Sequence, residues 1–256
     1  MELELAQWAL LIGGAAVAGW VDAVIGGGGL VLIPLIMAVV PGIAPATALA
    51  TNKLAAVSGT ASAAFTLMRT VKPPMKETLK LAAIAGVASA TGALAATVIQ
   101  EEFMRPLIIV LLVAVGIFVA FKPNFGTGTS DGVRGGWRTW AALAAVAGIG
   151  FYDGIFGPGT GMFLIMSFTA IFSQNFIKSA AMAKVVNTAT NLGGLATFII
   201  GGHVWWTLGI ALAIANIAGA QLGARTVLGG GTKLVRYALL TLVVVMSVNL
   251  AWQQWF

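Results

Sequence analysis

Hydrophobic positions along this chain fall in long continuous runs, parted by short polar stretches, rather than alternating with polar residues. The apolar segments of the first half cover residues 7–25, 30–40, 47–68, 78–99 and 106–121. Those of the second half cover 137–156, 161–172, 177–200, 204–222 and 234–252. Most approach or exceed the roughly 20 residues that span a bilayer as helix, which predicts an all-α membrane protein with eight to ten membrane segments. A β-barrel would show alternation and is not expected. The second segment of each half has about a dozen residues, too few for an ordinary span. It is predicted to be a half-helix, one arm of a re-entrant hairpin, or a short tilted crossing.

The two halves are copies. Gly19-Trp20-Val21-Asp22-Ala23-Val24-Ile25-Gly26-Gly27-Gly28-Gly29 returns 131 residues later as Gly150-Phe151-Tyr152-Asp153-Gly154-Ile155-Phe156-Gly157-Pro158-Gly159-Thr160. The same offset, without a gap, carries Lys53 onto Lys184, Gly92 onto Gly223 and Arg105 onto Arg236. Each copy thus holds one acid, one glycine-rich break and one lysine within apolar sequence, a pattern familiar from transporters built of repeats.

Composition agrees with a bilayer setting: 59% of residues are apolar and 9% charged, too few charges to cover a water-soluble chain of this length. With no cysteine, disulfides, thiolate metal sites and cysteine nucleophiles are excluded, and one histidine, His203, cannot build a metal cluster. The net charge of +6 does not point to nucleic acid, because the basic residues sit in short loops between apolar runs. Met1 to Gln7 lacks the positive start and cleavage site of a signal peptide, so the chain from Ala6 onward is expected to be mature helix.

Loop charge also predicts topology. Arg69, Lys72, Lys76 and Lys80; Lys122, Arg134 and Arg138; and Arg225, Lys233 and Arg236 mark three cytoplasmic loops. The N-terminus, Glu101–Glu102, Gly201–His203 and the C-terminal residues 252–256 are poor in lysine and arginine and belong outside. The expected organisation is a first membrane repeat over 1–121, a cytoplasmic linker over 122–138 and a second, inverted repeat over 139–256. Trp8, Trp140, Trp205, Trp206, Trp252 and Trp255 lie near segment ends, as interfacial anchors do. Arg105 and Arg236 begin the last segment of each half and read as helix-end anchors.

The candidate chemistry lies at the breaks. Glycine costs about 1 kcal/mol and proline about 3 in a helix interior, so Gly26–Gly29 and the run from Gly157 to Gly161 would unwind a membrane helix. The short helices expected to start near Gly29 and Gly161 would aim free N–H groups and a positive dipole end at the breaks. Gly27, Gly28, Gly29, Gly159, Thr160 and Gly161 are therefore candidate anion contacts. Lys53 and Lys184 sit deep in long apolar segments, where a lysine costs about 2.5–3.5 kcal/mol, and would supply positive charge. Snorkelling to an interface, or pairing with Asp22 or Asp153, is the structural alternative. Thr51, Asn52, Asn187 and Asn191 offer neutral hydrogen bonds, with Asn187, Thr188 and Asn191 on the Lys184 face. Asp22 and Asp153 could hold the lysines, bind a coupling cation or accept a coupling proton.

Gly-x-x-Asp-Ala-Val-Ile-Gly-Gly-Gly-Gly-Leu-Val-Leu-Ile-Pro, followed by Ala-Leu-Ala-Thr-Asn-Lys, resembles the first repeat of the TauE/SafE family of sulfite and organosulfonate exporters. The stretch from Gly150 to Phe163 is similar to that family's second-repeat signature. Leu30 departs from the pattern where a glycine would match Gly161. The resemblance covers nearly the whole chain and implies a small anion substrate such as sulfite, sulfoacetate or a thiosulfate-like species. It agrees in sign with the residues. The expectation is a secondary transporter of the cytoplasmic membrane that exports such an anion by alternating access, with a proton or sodium as possible coupling ion. No cofactor, no metal and no nucleic-acid partner is expected. A passive anion channel and a cation-coupled carboxylate transporter are the alternatives. An enzyme is not expected: there is no Ser-His-Asp grouping, HExxH, phosphate loop or dinucleotide fingerprint.

Overall fold

The computed structural model describes residues 3–121 and 136–229. These residues form helices α1 (Leu5–Ile25), α2 (Gly28–Val39), α3 (Pro45–Val71), α4 (Met75–Val98), α5 (Glu101–Phe121), α6 (Gly136–Ile155), α7 (Thr160–Phe172), α8 (Phe176–Ile200) and α9 (Trp206–Leu228). The expected segment 234–252, most of the linker, and Arg236, Trp252 and Trp255 lie outside the described residues. No strand occurs among the described residues, and the protein is an all-helical membrane protein.

Local signals set the helix starts. The Glu4 amide donates to Gln7 Oε1 at 2.9 Å in a capping box before α1. Pro45 opens α3, where a missing N–H costs nothing. Asn175 caps α8 by accepting from the Lys178 amide at 2.9 Å.

α1, α4 and α9 are long and apolar enough to cross a bilayer by themselves. At 1.5 Å per residue the 21 residues of α1 reach about 31 Å, the thickness of a hydrocarbon core. The 12 residues of α2 and 13 of α7 reach only about 18–20 Å, so neither can cross unaided.

Two boundaries differ most from the sequence expectation. α9 continues through Ala224 and Arg225 to Leu228, because the small residues there keep helical packing against α1 and the arginine falls in the last turn. α5 begins at Glu101 rather than after Arg105: acids favour a helix N-terminus, and the helix runs through Pro106 although that proline has no N–H to give the Glu102 carbonyl.

The 131-residue offset carries α1 onto α6, α2 onto α7, α3 onto α8 and α4 onto α9. The packing follows the same exchange. α1 packs on α9 as α6 packs on α4, α3 on α9 as α8 on α4, and α3 on α8 at the centre. Each copy therefore completes its packing with the other, an interlocked pseudo-two-fold arrangement.

Small residues allow this closeness. A Cβ on Gly19 or Gly219 would collide with the backbone of the facing helix, Asn216 and Ala16 respectively. At the crossing of α6 and α4, a Cβ on Gly92 would collide with the Phe151 carbonyl. Side chains such as Leu5, Val98 and Ile200 stand on the outer surface, as a lipid-facing exterior requires. Lys53 and Lys184 are among the largest fully buried side chains, and both lie in the central pair α3 and α8.

Candidate functional site

α1 ends at Ile25, and Gly26 turns the chain with φ +80°. Only Gly26 and Gly27 separate α1 from α2, which starts at Gly28, one residue earlier than the sequence suggested. The second break is longer, Phe156, Gly157, Pro158 and Gly159, with φ +90° at Gly157 and +81° at Gly159, before α7 starts at Thr160. These left-handed angles are what glycine supplies and side chains resist.

The two breaks lie back to back. Gly26 and Gly161 pack so closely that a Cβ on Gly161 would sit 2.6 Å from Gly26 Cα, and the Met162 amide donates to the Gly26 carbonyl at 3.2 Å. Gly29 faces Pro158, with room for ordinary contact. The departure at Leu30 falls at this junction: Leu30 is fully buried where its counterpart Gly161 admits the opposite backbone.

Each break receives the lysine of the other copy. Lys53, from α3, donates to Asp153 Oδ2 at 2.7 Å and to the Asp153 carbonyl at 2.7 Å. Lys184, from α8, donates to Asp22 Oδ2 at 2.9 Å and to the Asp22 carbonyl. Both carbonyls lie within the last turn of their helices; the Asp22 carbonyl also accepts the Gly26 amide at 2.8 Å, so Lys184 is its second donor. A lysine beside a helix C-terminus also meets the favourable end of the helix dipole. The lysines therefore stay at depth and do not snorkel, and each ion pair crosses between the copies.

The two pairs share chemistry but differ in surroundings. Lys53 and Asp153 are each 2% exposed. Ser89 donates to Asp153 Oδ2 at 3.2 Å, and Gly194 leaves the gap through which the Lys53 stem passes, since a Cβ there would lie 2.7 Å from Lys53 Cε. Around the other pair Lys184 is fully buried but Asp22 is 14% exposed. Its second oxygen, Oδ1, accepts the amide of Gly28 at 3.2 Å, in the first turn of α2.

The helix starts differ as well. At α7 the Thr160 amide and hydroxyl both donate to the Gly157 carbonyl, at 3.2 and 2.9 Å, and Met162 donates across to Gly26. Tyr152 staples the same break through its hydroxyl, which donates to the Pro158 carbonyl at 2.8 Å. The Thr160 and Met162 amides at the start of α7 thus meet backbone carbonyls, whereas the Gly28 amide at the start of α2 meets a carboxylate.

The neutral candidates divide in the same way. Asn191 Nδ2 donates to the Asn187 carbonyl at 2.9 Å, and Thr188 to the Lys184 carbonyl, so both are satisfied within α8. Asn187 Oδ1 accepts from Thr190 at 3.2 Å, but its Nδ2 donates no hydrogen bond among the described residues. Asn187 is 3% exposed, and a Cβ on Gly161 would lie 3.3 Å from that nitrogen. On α3, Thr51 Oγ1 is fully buried without a partner, and the Asn52 amide, 6% exposed, makes no hydrogen bond among the described residues.

Ser89, Gly194 and Asn216 were not singled out by sequence. Asn216 donates to the Ala15 carbonyl at 3.1 Å, tying α9 to α1. Their offset counterparts are Ala220, Ala63 and Ala85, so none carries the duplicated signature that marked the lysines and acids.

Comparison with known proteins bears on what this assembly is. The model of the family described as sulfite exporter TauE/SafE matches residues 11–250. A probable membrane transporter protein, YfcA of Escherichia coli K12, is 37% identical over 236 residues, covering 92% of this chain and 86% of its own. The probable membrane transporter protein ORF9 of a Sinorhizobium species is 32% identical, covering 97% of this chain and 94% of its own. A probable membrane transporter protein of Haemophilus influenzae is 32% identical over the full length of this chain and 99% of its own. No solved structure matches the chain. The duplicated breaks, their buried ion pairs and this match across the chain carry one conclusion: the protein is a membrane transporter and belongs to the sulfite exporter TauE/SafE family.

Proposed function

We propose that the protein is a secondary transporter of the cytoplasmic membrane that exports a small sulfur-containing anion, sulfite or an organosulfonate such as sulfoacetate, by alternating access. The observation that carries this reading is the reciprocal placement of the lysines: each copy delivers an ammonium group to the broken helix of the other. Cationic groups at helix breaks are suited to an anion, and a site shared between copies is remade whenever the copies move against each other. The two repeats, 1–121 and 139–256, lie in opposite orientation across the bilayer in this reading, with the linker 122–138 in the cytoplasm. That orientation follows loop charge.

Lys53 and Lys184 supply charge, while Thr51, Asn52 and Asn187, each with a hydrogen-bonding group that has no partner among the described residues, receive substrate oxygens as the site opens. Asn191 holds Asn187 in place. The family's name points to sulfite, and the chemistry of the breaks agrees in sign.

The test is flux of radiolabelled sulfite in liposomes carrying the purified protein. Saturable exchange above that of empty liposomes is expected, with Lys53→Ala and Lys184→Ala each depressing it. Normal flux in both variants at normal protein levels would remove the lysine site, and unitary currents in bilayer recordings would favour a channel instead.

A further inference from the structure

We infer that Asp22 is a tethered stand-in for the transported anion, and that the anion enters at the first break by displacing it, one proton joining Asp22 for each anion bound. This rests on the reading above that the breaks bind an anion.

The Asp22 carboxylate is held as a free oxyanion would be. One oxygen lies on the Lys184 ammonium at 2.9 Å, and the other accepts the Gly28 amide at 3.2 Å, in the first turn of α2. Asn187, 3% exposed as a residue, brings Nδ2 to the same junction without an acceptor among the described residues, beside Gly161 where it packs on Gly26. An incoming oxyanion with two or more oxygens on a small centre matches the ammonium and the helix-start amide as the carboxylate does, and offers a further oxygen to Asn187. The second break does not offer this seat. There the Thr160 and Met162 amides at the start of α7 are taken by the Gly157 and Gly26 carbonyls, no carboxylate among the described residues reaches that helix start, and Asp153 is shut in by Lys53 and Ser89. Asp22 is also the more accessible acid, 14% exposed against 2%.

Charge fixes the stoichiometry. Among the described residues, Lys184 is the one titratable group within ion-pair distance of Asp22. Of the helices packed on α1, α2 and α7 carry no titratable side chain. α3 brings Lys53, held by Asp153, and Arg69 in its last turn. α8 brings Lys178 and Lys184, and α9 brings Arg225 in its last turn. A second anion beside an ionised Asp22 would leave the buried site net negative, which low-dielectric surroundings penalise. A proton from solvent adds to the Asp22 carboxylate, its ion pair with Lys184 opens, and the anion takes over the ammonium and the Gly28 amide. The buried charge then stays balanced for a monovalent anion, and the excess is halved for a divalent one.

The test is binding of sulfate, doubly charged throughout, to the purified full-length protein by calorimetry between pH 5.5 and 8, conditions chosen as about the range around neutrality. Wild-type affinity is expected to weaken with rising pH, approaching about tenfold per unit as one linked proton requires. Asp22→Asn should bind about tenfold tighter than wild type at the upper end and lose most of that slope. Asp22→Ser serves as a second variant should the first not fold, and Asp153→Asn should not reproduce the effect. Equal or weaker binding in the folded Asp22 variants, an unchanged slope, or no sulfate binding to them would overturn the inference. Failure of sulfite flux in liposomes with these binding results intact would remove the export reading and leave the exchange at Asp22 standing. Sulfite flux without the Asp22 effect would do the reverse.

Discussion

The two ion pairs descend from one duplicated motif, yet Lys53–Asp153 is closed and Lys184–Asp22 is open. In the closed pair both side chains are 2% exposed, a serine hydroxyl adds a third contact, and a glycine makes way for the lysine stem. In the open pair the acid is 14% exposed, its spare oxygen rests on a helix-start amide, and Ala220 occupies the position of Ser89. Duplication supplied both with lysine, acid and break. The neighbours then diverged, so that both pairs join the copies but one is enclosed and the other keeps a partly exposed acid.

The largest effect expected from this contrast concerns stability. Lys53→Met leaves Asp153 buried without its counter-charge, a loss of about 3–5 kcal/mol by unfolding in detergent. Adding Asp153→Leu should recover most of it, because an apolar pair removes the stranded charge. Lys184→Met should cost clearly less, since Asp22 keeps the Gly28 amide and access to water. Equal losses would break the comparison.

Ser89→Ala removes a hydrogen bond to a buried carboxylate and should cost about 1.5–3 kcal/mol in the same measurement. A value near zero would mean the serine is a mere space-filler. At the junction of the breaks, Gly161→Ala drives a Cβ into Gly26 and should cost about 1–3 kcal/mol, whereas Gly29→Ala meets Pro158 at 3.4 Å and should cost less than about 1 kcal/mol. Equal costs would show that the breaks are not packed asymmetrically. A comparably small effect is expected for Tyr152→Phe, about 0.5–1.5 kcal/mol, from loss of the bond to the Pro158 carbonyl.

Much of this architecture was legible along the chain because the duplication is gapless. A constant offset shows that Lys53 and Lys184 are equivalent, and a dozen-residue apolar run after a glycine cluster can hardly be anything but a short helix. The depth of the lysines was readable from the apolar residues on both sides. Their partners were less so. Helical periodicity places Asn187 and Asn191 on the Lys184 face, but it does not say which helix that face meets, so pairing across copies left no mark in either copy alone. Ser89, Gly194 and Asn216 sit in helices rich in alanine and glycine, where a residue that serves the site looks the same as one that merely lets helices approach. The divergent use of the helix starts was hidden for a related reason: whether an amide meets a carboxylate or a carbonyl depends on how Gly26 and Gly157 turn the backbone. The boundary of α9 was misjudged because Arg225 reads as loop charge, though it ends a helix that small residues keep packed.

The most direct test of the account is sulfite flux per folded protein in liposomes for Lys184→Gln, with the melting temperature of each sample measured alongside. The account predicts a fall in flux of about tenfold or more while the protein remains folded, separating transport from stability at the open pair. A folded Lys184→Gln variant that moves sulfite at the wild-type rate would contradict it.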